Sequence, residues 1–344
     1  MACDNCSKDG TDRGGQVSMS IVLPAHNEAD NITPMYDSLV SVLSPLGLRE
    51  FEILFIDDGS TDRTSQRVAD LAATDSRVKL IELLRPFGHQ AALTAGLMHA
   101  RGDVVITMDA DLQHPAEMIP LMLERFRAGS DVVYARRKGQ QRGLCKNLLS
   151  AAFYACFKRT TRVAVFDGVS DFRLMSSRIV HILNTMEERD RFLRGMVPWI
   201  GGRSDVVEYS LQPRIHGAPS YTLSQSLRLG LAGLMSFSTA PLTAIFVVGL
   251  AVSLLSFGYG LYLVGHKIVV GTAVPGYTDI IAGVLFLGGL NLTAIGIVGR
   301  FLAIVLDEVR ARPNYIIRRT VGIACNPAGD STVSRHDVAY HNQC

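Results

Sequence analysis

The sequence predicts an α/β fold, with a mostly parallel sheet in a catalytic domain, interfacial helices and two C-terminal transmembrane helices. Three observations predict it. Short apolar runs alternate with helical patterns of roughly ten or more residues, as βαβ units do. Chemically capable side chains fall just after those runs, where an open α/β sheet binds its ligands. Beyond residue 240 charges vanish over two long stretches.

The first run is Ser20-Ile21-Val22-Leu23-Pro24, followed by Ala25-His26-Asn27-Glu28 and a periodic segment to about Leu46. The second, Phe51 to Ile56, closes on Asp57-Asp58-Gly59-Ser60-Thr61-Asp62 before a helical stretch to Ala73. Glycine suits the turn and Ser/Thr a helix cap, but capping needs no second consecutive aspartate. Val78 to Leu84 is the third run, leading into Arg85-Pro86-Phe87-Gly88-His89-Gln90 and a helix through His99. Val104 to Met108, the fourth, delivers Asp109-Ala110-Asp111-Leu112-Gln113-His114-Pro115, and the proline opens a helix to about Ala128. The fifth, Val132 to Tyr134, precedes Arg136, Arg137, Lys138 and Arg142. Apolar strands without alternation imply helices on both faces of the sheet.

An aspartate pair at the end of a buried strand suits a divalent cation. Hard cations prefer oxygen, and Mg²⁺ takes one or two carboxylates beside the phosphates it neutralises. No Walker-type or dinucleotide glycine loop follows the first strand. Phosphate recognition is therefore expected from a metal and from the basic residues after the fifth strand.

Past Tyr154 the pattern loosens. Gly168 to Met175 sets Asp171 two residues from Arg173, which suits either a site or a buried structural pair. Glu187 to Gly202 holds Arg189, Asp190, Arg191, Arg194 and the only tryptophan, Trp199.

Composition narrows the class. A net charge of +2 on 344 residues, with no basic stripe, gives no case for a nucleic-acid partner. Six irregularly spaced cysteines make no disulfide framework. Cys3 and Cys6 form a lone C-x-x-C in a polar start, expected to be a disordered tail over 1–17 rather than half a zinc site. No apolar run opens the chain, so no signal peptide is expected, and the N-terminal part should stay in the reducing cytosol.

Leu242 to Gly265 carries no charge and is long enough to span a bilayer. Ile280 to Val298, extended by Phe301 to Leu306 beyond Arg300, is a second such run. Together they predict a hairpin over 240–306. The loop His266 to Asp279 has a single lysine, whereas Arg310, Arg312, Arg318 and Arg319 follow the second run. The positive-inside rule then places the tail, 307–344, in the cytosol with the domain over 18–222. The expected location is the inner (plasma) membrane, multi-pass. Leu223, Leu227, Leu231 and Leu234 share one helical face, so 223–239 reads as an amphipathic helix in the membrane interface. Gly249, Gly258, Gly288 and Gly289 would permit helix packing and a homo-oligomer.

Pro24 to Glu28, Asp57 to Asp62, Asp109 to Pro115 and Ser170 to Leu174, in that order and with two spans behind them, resemble family 2 glycosyltransferases. The likeness is to the polyprenyl-phosphate type, the group of dolichol-phosphate mannose synthase and the bactoprenol glucosyltransferases, and runs from about Ser20 to Thr320. The resemblance implies a GT-A fold, a nucleotide-sugar donor, Mg²⁺ or Mn²⁺, and a polyprenyl phosphate acceptor such as undecaprenyl phosphate. UDP-glucose is the first expectation for the donor, with GDP-mannose or another UDP-sugar also fitting.

Carried over by motif, Pro24, His26 and Glu28 line the nucleotide, with Ile56 and Asp58 reaching its base and ribose. Asp109, Ala110 and Asp111 lie on the diphosphate side. Asp111 and Gln113 match metal ligands, with Asp109 close by or bridging through water. Arg137 and Arg214 match arginines that contact phosphate, and Asp171 is expected to orient an arginine or the sugar. One departure stands out: Ser220 occupies a position where the family commonly has lysine. A processive polysaccharide synthase shares the strand-end acids but carries Q-x-x-R-W. Here four residues separate Arg194 from Trp199, and two spans do not easily make a pore. A non-catalytic, membrane-tethered nucleotide-sugar-binding protein is the alternative from a different class.

Overall fold

Every residue of the first strand, β1 (Ser18–Ala25), is buried, and the sheet grows outward from it on both sides. The computed structural model describes residues 16–138, 169–186, 188, 191–209, scattered residues between 242 and 269, 277–310, 312–323 and 337–339. Arg142, Arg189, Asp190, Arg214, Ser220, the 1–15 start with Cys3 and Cys6, the expected interfacial helix and most of the first span lie outside them.

β1 pairs in parallel with β2 (Glu50–Asp57) on one side and β4 (Val104–Thr107) on the other, and β2 pairs in parallel with β3 (Val78–Leu83). The chain therefore winds outward from β1 to β3 and then reverses to β4. Such a reversal opens a crevice at the carboxyl ends of the two strands beside it, and ligands bind there.

Alternate residues of a strand face opposite sides. One face packs Met19, Ile21, Leu23, Ile53 and Phe55 under three helices. These are α1 (Ala29–Leu43), α2 (Thr64–Thr74) and α4 (Ile119–Arg127), the helix α3 (His89–His99) lying elsewhere. Ile32, Met35, Leu39 and Leu43 form the buried stripe of α1 at helical spacing. The opposite face receives α3, which approaches so closely that a Cβ on Gly96 would sit 2.3 Å from Val22 Cγ1 and 2.8 Å from Ile56 Cδ1. Helices thus cover both faces, as uninterrupted apolar strands require.

Beyond the five expected strands the sheet gains four more among the described residues, which the pattern along the chain had not suggested. β5 (Val132–Arg137) does not touch β4; between them runs β6 (Val169–Ser176), antiparallel to both. After α5 (Ser177–Thr185) and α6 (Leu193–Ile200), β7 (Ser204–Tyr209) pairs in parallel with β5. On the far edge, β8 (Tyr315–Val321) is antiparallel to β3 and parallel to β9 (Asp337–Ala339). The order is β7-β5-β6-β4-β1-β2-β3-β8-β9.

The segment from 307, expected as a tail, thus contributes two strands, β8 and the edge strand β9. Its arginines had read as a membrane flank, yet Arg318 and Arg319 both grip the buried Glu82 of β3, at 3.1 and 2.6 Å. A second compact unit contains α7 (Tyr277–Arg310), 34 residues long. At 1.5 Å per residue it reaches roughly 50 Å, more than a hydrocarbon core of about 30 Å. Its segment Leu287–Arg310 is the one stretch among the described residues long and apolar enough to cross a membrane. Leu292, Ile295 and Leu302 on it are exposed.

Candidate active site at the strand ends

Four loops meet at the carboxyl edge of β3, β2, β1 and β4. After β1 the chain turns through Asn27, which adopts a left-handed φ of 57°. Its backbone N–H donates to Ser60 Oγ at 2.9 Å, and its side-chain oxygen accepts from the Thr61 N–H at 2.8 Å. His26 is exposed beside it and donates from Nδ1 to the Asp58 carbonyl at 2.8 Å. Glu28 stands just before α1, its N–H donating to Thr64 Oγ1 at 2.9 Å. The first and second loops are thus stitched together by side chains that were also candidate caps.

Asp57 and Asp58 divide the work after β2. Asp57 accepts from the N–H and hydroxyl of Ser60, while burial pushes its pKa up. Asp58 accepts from the Phe87 N–H at 2.7 Å and the Gly88 N–H at 2.8 Å, one on each oxygen. It is a latch on the β3–α3 loop. Gly59, at φ 62°, passes so close that a Cβ would lie 2.5 Å from the Arg85 carbonyl carbon, so no other residue fits.

The loop after β4 carries the aspartate pair. Leu112 takes a left-handed φ of 61°, a conformation that costs a leucine roughly 1–2 kcal/mol. Strain of this kind survives where the surroundings hold it. Just before it, Asp111 Oδ1 accepts the Gln113 N–H at 3.1 Å. His114 is buried, stacks on Phe172 at 5.0 Å between centroids, and meets Tyr209 edge-on at 6.0 Å. Its Nδ1 accepts the Asp109 N–H at 3.0 Å, which leaves the proton of the neutral ring on Nε2. Burial lowers the His114 pKa in spite of the nearby carboxylates, so the ring stays neutral and orients the Asp109 backbone.

Asp109 Oδ1 is buried and without a hydrogen-bond partner among the described residues. Leaving such an atom unmet costs about 1–3 kcal/mol. It is a hard oxygen, and Asp111 is two residues away. That donor set fits Mg²⁺ or Mn²⁺, which complete their shells with substrate phosphates and water. No group of three His, Cys, Asp or Glu side chains able to hold a metal ion exists among the described residues.

Asp171, expected as a lone acid near Arg173, is the centre of a larger cluster. It lies on β6 beside β4, anchored by the Thr107 hydroxyl donating to its carbonyl at 2.5 Å. Its carboxylate is 1% exposed and receives Arg173 Nη2 at 2.5 Å and Arg194 Nε and Nη2 at 3.1 and 2.7 Å. Gln90 Nε2 reaches it at 3.4 Å, and His89 Nε2 lies 3.3 Å from it and 3.5 Å from Asp109 Oδ1. Burial pushes Asp171 up, but the His89 hydrogen bond and the two guanidiniums outweigh it and hold the acid well below the usual carboxylate range. Burial likewise disfavours a charged His89, and its carboxylate neighbours overcome it, raising the pKa.

Arg137, the last residue of β5, donates from Nε to the Tyr209 hydroxyl at 3.4 Å. Its charge, with those of Asp109, Asp111 and Asp171, acts on His114, so these residues belong to one neighbourhood. Neighbouring Arg136 is instead paired with Glu208. Three sequence candidates, Pro24, Ile56 and Ala110, are buried in the fold, and Pro24 and Ile56 pair with each other across β1 and β2. His89, Gln90 and Arg194 were given no role from sequence. Nothing along the chain marks them, because their partner Asp171 sits on a strand between two others.

The family model for glycosyl transferase family 2 matches residues 20–180. A prophage bactoprenol glucosyl transferase homolog of Escherichia coli is 38% identical over 88% of this chain and 99% of its own length. The bactoprenol glucosyl transferase of Shigella phage SfII is 38% identical over 88% of this chain and 98% of its own length. An uncharacterized glycosyltransferase of Synechocystis is 36% identical over 90% and 98%. Among solved structures, glucosyl-3-phosphoglycerate synthase of Mycobacterium tuberculosis aligns with a TM-score of 0.43 and 22% identity, over 65% of this chain and 80% of that one. That last likeness is too distant to carry a residue's role across.

Proposed function

The chain belongs to glycosyl transferase family 2, and from that premise we propose that it moves a single sugar from a nucleotide-sugar to a polyprenyl phosphate at the cytoplasmic face of the plasma membrane. UDP-glucose is the proposed donor, in line with relatives named as glucosyl transferases. The observation that carries the reading is the unmet Asp109 Oδ1 beside Asp111, at the crevice where the strand order reverses. Asp109 and Asp111, with Gln113 beside them, would hold Mg²⁺ or Mn²⁺, which supplies positive charge for the leaving nucleoside diphosphate.

The chain's own residues do the rest by placement. His26, Glu28 and the latch residue Asp58 border the space for the nucleoside. Arg137 faces the diphosphate side, with Arg214 proposed as a second phosphate contact. No strong base is required. A phosphate monoester is largely ionised near neutral pH, its second pKa being about 6. Its oxygen attacks the anomeric carbon, the bond to the diphosphate oxygen breaks, and one displacement inverts the centre. Asp171, kept charged by two arginines, is unsuited to taking a proton and serves to position its partners. Catalysis then rests on orientation and on cations arranged before reaction.

Two features support a membrane setting. Large apolar side chains of α7 are exposed, as a helix facing lipid requires. β7 precedes the 242–310 segment and β8 follows it, and both belong to one sheet. A crossing by α7 therefore demands a second crossing in the same segment, for which Leu242 to Gly265 is the available run. To test the function, membranes containing the chain are offered a panel of radiolabelled nucleotide sugars with undecaprenyl phosphate. Label from one donor should enter the organic phase, and only with divalent metal. Retention of every label in the aqueous phase would refute the reading.

A further inference from the structure

Asp171 gathers two guanidiniums, one on each carboxylate oxygen. Arg173 is 2% exposed and donates to Asp171 Oδ1, and its other terminal nitrogen donates to the Leu193 carbonyl at 3.1 Å. That contact meets one of the two carboxylate oxygens. Arg194 makes a two-point contact with the other, Asp171 Oδ2, and its side chain remains 41% exposed. A long, costly-to-order side chain is thus fixed by a buried carboxylate while it keeps substantial exposure. Guanidinium planes held in this way suit phosphate oxygens, which they meet through paired N–H groups.

The location narrows the ligand. His89 Nε2 lies within 3.5 Å of both Asp171 and Asp109, so Arg194 stands one imidazole away from the unmet Asp109 oxygen. Arg194 opens α6 and His89 opens α3, and neither belongs to a strand-end acid motif. Resting on the reaction proposed above, we infer that Arg194 is a substrate-phosphate contact and that Asp171 is the residue that positions it. The ligand group is a phosphate, supplied either by the donor's diphosphate or by the lipid acceptor.

Isothermal titration of the solubilised full chain with UDP, and separately with a short-chain isoprenyl phosphate, reads this without turnover. Arg194→Gln should weaken one of the two by about tenfold or more, the usual consequence of losing a charge-assisted hydrogen bond. Loss for UDP assigns the donor's diphosphate, and loss for the isoprenyl phosphate assigns the acceptor. Asp171→Asn should weaken the same ligand, and the double variant should bind no worse than the weaker single one, because the two act as a unit. Arg194→Lys, retaining charge without the two-point hold, should fall between. Thermal melting checks folding: Arg194→Gln should melt below the parent, because it strands one oxygen of the buried Asp171, yet remain folded at the titration temperature. Unchanged affinity for both ligands in folded Arg194→Gln, or additive losses in the double variant, would overturn the inference. Failure of the parent to glycosylate any lipid phosphate would sink the proposed reaction and leave this binding result standing by itself.

Discussion

Single side chains at the crevice carry separable duties. Asp58 and Asp111 are both acids at strand ends, and along the chain they look alike. Asp58 spends an oxygen on each of two backbone N–H groups, at Phe87 and Gly88. Asp58→Ala should therefore cost about 1–3 kcal/mol of stability for the amides it strands, seen as a lower melting temperature. Asp111→Asn should leave the melting temperature near that of the parent and abolish transfer at every metal concentration. Full activity of that variant across a Mg²⁺ and Mn²⁺ titration would contradict the metal assignment. The division between latch and grip was not legible in the motifs, because D-D-G-S and D-x-D report residue types and not which oxygens remain available. Ile56 shows the same limit: its position at the end of the strand was readable, its side chain's burial against α3 was not.

Among elements, those legible from sequence were the ones whose period is unbroken. The central runs of β1 to β4 are apolar and α1 carries a buried stripe at helical spacing, so the alternating pattern could be read directly. β6 escaped because Asp171 and Arg173 interrupt its apolar run, although buried neighbours pay for them with hydrogen bonds. β8 escaped because its arginines imitate a membrane flank, while both pair with Glu82 on β3. At the edge of the sheet away from the site, Glu52 ties strands together. It accepts from Ser20 at 2.5 Å and the Arg101 N–H at 2.9 Å, and it pairs with Lys79. Burial pushes Glu52 up, but Lys79, Ser20 and Arg101 outweigh it, and its pKa lies below the ordinary 4.5. A depressed carboxylate contributes stability above its unfolded pKa and loses it as pH falls through the folded value. Melting curves of the parent and Glu52→Gln should therefore differ most above pH 4.5 and converge in more acidic buffer. A gap that widened on acidification would contradict the assignment.

At the scale of the whole molecule, the sheet constrains the membrane topology through the order of its strands. The 242–310 segment lies between β7 and β8 of one sheet, so any membrane crossings it makes are even in number. A reporter of cytoplasmic exposure fused after Cys344 should be active, and the same reporter inserted in the 266–279 loop should be silent. Activity at both places would rule out the hairpin. Composition made the greasy segment legible, whereas the return of the chain to the sheet depends on pairing between residues far apart. The central claim is the transfer of one sugar to a lipid phosphate, and mass spectrometry of the extracted lipid reads it directly. Incubation with UDP-glucose, undecaprenyl phosphate and Mg²⁺ or Mn²⁺ should yield a lipid heavier by a single hexose residue, absent with Asp111→Asn. A ladder of repeated additions, or unmodified undecaprenyl phosphate with every nucleotide sugar supplied, would contradict it.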